Sequence, residues 1–428
     1  MSRHCPALFI AAPASGQGKT TFTAALARYH RNQGRTVRVF KTGPDYLDPM
    51  ILEVASGHPV YQLDLWMNGE ADCQWRLYDA AGAADLILIE GVMGLFDGKT
   101  SSADLAQTFG IPIAALIDAS GMAQTFGAIA HGLFHYRPDL PVAGVIANRV
   151  ASEGHAQMLA ESVKSIPLLA SLMRDESITL PERHLGLVQA SELEDLEQRL
   201  DQAAKQIANT NLAKLPEPVT FESQAAPEPP PLLQGKHIGV ARDEAFAFIY
   251  PANIQLLEAM GAKIDYFSPL SDTQLPRVDS IWLPGGYPEL HLDTLSNNRS
   301  MISSIRQHFE QNKPMLAECG GMLYLTESLT DKQGTAAEMV AILAGSASMQ
   351  PRLTALGMQS VDLGDGKLHG HTFHHSSFET PLEANFHAVR QRGKTQGEAV
   401  YRINRLTASY LHLYFPSNPI SVAHILKM

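Results

Sequence analysis

The chain has 428 residues, 33 Lys and Arg against 44 Asp and Glu, a formal charge of −11 and 45% hydrophobic residues. At roughly 100 to 200 residues per domain, this length implies two or three domains with full cores and excludes a single small stapled module. The acidic balance without a long basic block argues against nucleic acid or an anionic membrane as the main partner, and no run of about 18 apolar residues is present to span a bilayer.

The opening MSRHCPALFIAAPASGQGKTT runs an apolar stretch directly into a glycine loop, with no small-residue cleavage site, so no secretory leader is expected. Cys5, Cys73 and Cys319 are too few and too scattered for a disulfide framework or a zinc ribbon, which points to the cytoplasm. The runs Ala7 to Ala12, Val37 to Phe40, Leu86 to Ile89, Ile113 to Ile117 and Val142 to Ile146 alternate with longer helix-like stretches. That pattern predicts buried parallel strands joined by crossover helices.

Pro13-Ala-Ser-Gly-Gln-Gly-Lys-Thr-Thr21 follows the first strand and opens a helix with an apolar face at Phe22, Ala25, Leu26 and Tyr29. Gly16, Gln17 and Gly18 would let backbone N–H groups curl around phosphates, Lys19 would add a point charge, and the Thr20 hydroxyl, followed by Thr21, could ligate Mg²⁺. Pro13 stands where the usual motif has its first glycine. Two further strand ends carry acids: Lys41-Thr-Gly-Pro-Asp45-Tyr46-Leu47-Asp48 after VRVF, and Glu90-Gly-Val-Met-Gly-Leu-Phe-Asp97 after DLILI. Ligands sit at such carboxyl edges, and Mg²⁺ takes hard oxygen ligands, for which Glu90 is the stronger candidate. The plainer alternative makes Asp45, Asp48 and Asp97 turn formers.

Residues 215–234, LPEPVTFESQAAPEPPPLLQ, read as a proline-rich interdomain linker between a domain over 1–214 and another over 235–428. Beyond it HIGVA, SIWLPGG and PMLAECGG restart the α/β alternation. Cys319 ends an apolar run and is followed by two glycines, the setting of a nucleophile on a sharp strand-to-helix turn. There a helix N-terminus would lower the thiol pKa. The turn Leu283-Pro-Gly-Gly286 could supply oxyanion donors, and the run SYLHLYF around His412 could supply a base.

At these residues the second domain resembles a class I glutamine amidotransferase, a flavodoxin-like fold. The resemblance implies Cys319 as nucleophile, His412 as its base, and Gly286 and Gly320 as oxyanion and glutamine-binding contributors. The common triad has Glu two residues after the histidine; here that position is Tyr414. APASGQGKTT, TGPDYLDP, EGVMGLFDG, RHLGLV at Arg183 and GHTFHHS at Gly370 resemble, in that order, segments of the cobyrinic acid a,c-diamide synthase family over essentially the whole chain. The resemblance implies an N-terminal P-loop NTPase-like parallel sheet akin to dethiobiotin synthetase. It also implies ATP with Mg²⁺ as activator of the corrin a and c acetates, and ammonia from glutamine as the nitrogen source. By it, Thr20, Asp48 and Glu90 fall to metal, and Lys41, Asp45, Tyr46, Leu47 and Asp97 to the substrate side. The cluster His369, His371, His374 and His375 lacks a thiolate or carboxylate framework for zinc, and the resemblance suggests substrate or interdomain contact. Hydrogenobyrinic acid or nickel sirohydrochlorin would use the same residues. From another class, a partitioning-type ATPase switch with a non-catalytic C-terminal module is weighed against the Cys319–His412 pair.

Overall fold

A computed structural model describes residues 1–183 and 186–427. The motif at Arg183 runs through His184 and Leu185, which lie outside the described residues. The chain divides into two compact units, Met1–Pro227 and Glu228–Met428. Among the described residues no helix is long and apolar enough to cross a membrane.

The first unit is built on β1 (Arg3–Ala11), β2 (Val37–Thr42), β3 (Tyr61–Leu63), β4 (Leu86–Glu90), β5 (Ile113–Asp118), β6 (Val142–Val150) and β7 (Leu168–Met173). They lie in the order β3-β2-β4-β1-β5-β6-β7, with every neighbouring pair parallel. The five predicted runs fall in β1, β2, β4, β5 and β6. Their unbroken apolar character follows from burial on both faces: Ala7, Phe9, Ile87 and Ile89 join one core layer while Leu8, Ile10, Leu86 and Leu88 join the other. Helix α1 (Lys19–Asn32) covers the second layer through Phe22, Ala25 and Leu26.

The expected linker needs correction. Pro218–Phe221 forms a strand antiparallel to the start of β1, with Arg3 opposite Phe221, and Leu233 is buried in the second unit's core. Val219 and Phe221 alternate with polar neighbours and can therefore turn one face inward, while Pro218 is tolerated as a first strand residue.

The second unit has parallel strands Lys263–Phe267, His237–Ala241, Ser280–Leu283, Met315–Glu318 and Leu406–Ser409, in that spatial order. The sheet continues antiparallel through Gln396–Ile403, Phe386–Arg390, Ala355–Asp362, Lys367–His374 and His412–Leu413. This extension is absent from the flavodoxin-like expectation. Its last strand begins soon after Ser409, so the antiparallel part curls back to the strand it departs from, bringing the Gly370 segment beside His412.

Candidate active sites

The carboxyl ends of β2, β4 and β1 are neighbours, and each supplies part of the first site. Gly16 and Gly18 take φ of +75° and +89°. Gly18 begins α1, where a Cβ would lie 2.6 Å from Asn148 Nδ2, so both backbone and space require glycine. Asn148 Nδ2 donates to Gln17 O at 2.8 Å, and Gln17 Oε1 accepts the Asp118 N–H at 2.8 Å. The loop is thus braced from the ends of β5 and β6. Lys19 Nζ folds onto loop carbonyls, donating to Ala14 O at 3.3 Å and Met93 O at 2.9 Å. Burial, and then the charge of Lys41, lowers its pKa. Thr21 follows, half-buried, in the first turn of α1.

Beneath the loop lies the acid cluster. Lys41 and Glu90 are register partners across β2 and β4. The Lys41 ammonium reaches Glu90 Oε1 at 2.6 Å, Asp48 Oδ2 at 2.5 Å and Asp45 Oδ2 at 3.4 Å. Lys41, expected on the substrate side, is therefore the shared counter-ion of the acids. Thr20 Oγ1 donates to the same Glu90 oxygen at 2.9 Å. Burial lowers the Lys41 pKa, but Asp48, Glu90 and Asp45 outweigh it and hold the ammonium charged. Burial and then the neighbouring Asp48 push Asp45 up to about 8. Burial opposes ionisation of Asp48, yet Lys41 prevails and the net shift is downward. Glu90 is fully buried and shifted up by that burial. Among the described residues its Oε2 has no hydrogen-bond partner. Asp45 Oδ1 accepts the Leu47 and Asp48 N–H groups, capping α2 (Leu47–Ser56), with Tyr46 half-buried and Leu47 buried at its start. Asp97 is exposed, and its Oδ2 accepts the Gly94 N–H at 3.0 Å, as a turn former would.

The second site gathers three segments. Cys319 sits at φ +42°, ψ −108°, between the strand Met315–Glu318 and the helix Gly320–Tyr324, a strained turn at the position where a nucleophile is expected. Its N–H donates to Ser409 O at 2.8 Å, which ties it to the parallel strand that leads toward His412. A Cβ on Gly320 would meet Gly286 N at 2.9 Å, and one on Gly286 would lie 2.1 Å from Ala245 O. A Cβ on Gly285 would lie 2.2 Å from His412 Cε1. These glycines let the 285–286 turn, the thiol turn and the imidazole meet.

The expected lowering of the thiol pKa is not found. Burial, followed by Glu289, pushes Cys319 up, and the Gly320 N–H of a helix barely longer than one turn cannot offset it. His412 moves the other way: burial, then His371 and His374, hold it neutral. Both shifts favour the uncharged forms, a thiol and a neutral imidazole.

Two members of the histidine cluster named from the sequence lie at this site, together with Tyr410 and Glu398, which were not singled out from the sequence. His371 is the register partner of His412, and their rings stack at 4.9 Å and 17°. His374 stacks on Tyr410 at 3.7 Å and lies 3.4 Å from Glu398 Oε1, which also accepts from Thr372 Oγ1 at 3.2 Å. Among the described residues, no group of three or more His, Cys, Asp or Glu is arranged to hold a metal, the histidines of 369–375 included. Glu318 was legible in principle, as a lone charge in the apolar run PMLAEC.

Comparison with known proteins assigns both halves. Residues 8–188 match the CobQ/CobB/MinD/ParA nucleotide binding domain, and residues 237–420 the CobB/CobQ-like glutamine amidotransferase domain. The hydrogenobyrinate a,c-diamide synthase of Stutzerimonas stutzeri is 58% identical over 100% of this chain and 99% of its own. Its namesake in Pseudomonas aeruginosa is 57% identical, covering 99% and 97%. The cobyrinate a,c-diamide synthase of Herminiimonas arsenicoxydans is 51% identical, covering 98% and 96%. With such identity along the entire length, and both sites built as described, the chain belongs to the cobyrinate and hydrogenobyrinate a,c-diamide synthase family.

Proposed function

We propose that this chain is an ATP-dependent, glutamine-hydrolysing ligase that converts the a and c acetate carboxylates of a corrinoid, cobyrinic or hydrogenobyrinic acid, to amides. The observation that carries the reading is the coexistence on one chain of an anion-cradling loop over a buried carboxylate and a strained thiol turn beside a neutral imidazole.

In the second unit, Cys319 Sγ attacks the side-chain amide carbon of glutamine while His412 takes the thiol proton and returns it to the departing ammonia. The Gly286 and Gly320 N–H groups suit the oxyanion that forms. Water then hydrolyses the thioester to release glutamate. In the first unit, a carboxylate is a poor acyl donor, so transfer of the γ-phosphoryl group of ATP makes an acyl phosphate, from which ammonia displaces phosphate. Lys19, held on carbonyls and short of counter-charge, would exchange those contacts for phosphate oxygens. The residues suit Mg²⁺: the Thr20 hydroxyl, Asp48 and the orphaned Glu90 Oε2 are hard oxygen donors below the loop. When bound, the ion would neutralise charge on the transferred phosphoryl group. Lys41 keeps the acids together, and Asp45, Tyr46, Leu47 and Asp97 are proposed for the side facing the corrinoid carboxylate. A cytoplasmic setting suits the three free thiols. For the domains we propose that the synthetase half is the first unit, Met1–Pro227, and the amidotransferase half the second, Glu228–Met428.

The names carried by the relatives at 58% and 57% identity favour hydrogenobyrinic acid as the second reading. Purified protein supplied with ATP, Mg²⁺, glutamine and either acid should produce the mass change of two carboxyl-to-amide conversions. No product from either acid would overturn the assignment, and the faster substrate identifies the natural one.

A further inference from the structure

The backbone around His412 is held on every side. Leu413 N–H donates to Glu318 Oε1 and Leu413 O accepts from Asn253 Nδ2, both at 2.8 Å. Phe415 N–H donates to Asn253 Oδ1 at 2.8 Å, and Tyr414 N–H to His369 O at 2.8 Å. These bonds fix where the imidazole is rooted. Two residues on, position 414 carries a phenol and not a carboxylate.

The ring is bordered by Gly285 at Cε1, by Phe248 with centroids 6.1 Å apart, and by His371 lying nearly flat against it. His371 is itself anchored. Tyr250 OH lies 3.2 Å from its Nδ1, and both side chains are buried. The strand pairing that presents His371 requires Gly370, since a Cβ there would lie 2.2 Å from His412 O. We infer that His371, pinned by Tyr250 and stacked on His412, is a positioning residue for the general base. The inference rests on the reading of Cys319 and His412 as nucleophile and base. Burial pushes His371 down to about 3.

Positioning by a flat ring makes a specific demand: the ring matters, and its nitrogens matter less. Glutamate release by the full chain should be measured for His371→Ala, His371→Phe, Tyr250→Phe and His412→Ala, with kcat and KM for glutamine separated. His371→Ala should lose kcat by about tenfold or more, with KM within about twofold, because misorientation of a base costs the chemical step and not binding. His371→Phe should recover most of that loss, and Tyr250→Phe should fall between parent and His371→Ala. The unchanged KM reports an intact glutamine site. Should His371→Ala fail to fold, the Phe pair decides, since both variants keep their rings. A His371→Ala kcat within twofold of the parent, or a His371→Phe as inactive as a His412→Ala variant, overturns the inference while leaving the nucleophile–base reading standing. An active His412→Ala overturns both.

Discussion

Glu318 accepts the Leu413 N–H at 2.8 Å, so the residue before the thiol is bonded to the residue after the imidazole. Its second oxygen accepts Trp282 Nε1–H at 2.9 Å. Burial pushes this carboxyl up to about 8, with the two donors pulling the other way. Glu318→Gln would turn an NH₂ group against one of these N–H donors. It should cost about 1–3 kcal/mol of stability and reduce glutaminase kcat, with ammonia-driven amidation kept. Denaturant melts and glutamate release check this; a variant equal to the parent in both would show the tie to be idle.

Cys319→Ser should abolish glutamine-dependent amidation yet retain synthesis from an added ammonium salt. The thiol lies in the second unit, on a turn that no phosphate-loop residue shares. Product formation with each nitrogen source measures the split, and equal loss with both would refute it.

Lys19→Ala and Glu90→Gln should stop synthesis with either nitrogen source. The former removes the loop's ammonium. The latter keeps the shape of a fully buried side chain but removes the charge that meets Lys41 and Thr20. Near-normal ATP-dependent amidation by either variant would displace the assigned site.

His412→Ala should lower glutaminase turnover by roughly 10² or more, as expected when a nucleophile loses its base. Tyr414→Phe should change it little, because Tyr414 is buried edge-on to Tyr250 with centroids 5.8 Å apart and its ring remains. Running His374→Ala alongside tests the choice of histidine: it should remain more active than His412→Ala.

Stability should fall on mild acidification. Burial pushes His30 and His308 down to about 4, whereas the unfolded chain titrates near 6.5. The unfolded state therefore binds protons first. The contribution of the neutral rings is complete above about 6.5 and is lost as the pH drops toward 4, by roughly 1 kcal/mol per unit for each. His308→Gln can still donate to Pro314 O, the present partner of His308 Nε2 at 3.2 Å, and should flatten the slope. An identical pH dependence of the denaturation midpoint in parent and variant would exclude His308 as a contributor.

The sequence by itself determined what is local. Apolar runs long enough to be buried on both faces announce parallel strands, and a glycine loop between strand and helix announces an anion cradle. Glycines after Cys319 announce a thiol turn, because in each case the cause lies within a few consecutive residues. Glu90, Cys319 and His412 could be named on those grounds with the family resemblance. What only the tertiary structure decided is what register decides. Lys41 meets Glu90 because β2 pairs with β4 in one register, which makes it the counter-ion of the acids. His371 faces His412 because an antiparallel extension curls back onto the parallel sheet. The linker shows the same limit, since Pro218–Phe221 is a strand only because β1 offers it an edge. The thiol's raised pKa likewise comes from the depth at which the fold buries Cys319 and from Glu289, thirty positions earlier in the chain. Pairing between distant segments and the dielectric around a charge are properties of the assembled fold, and no window of neighbouring residues encodes them.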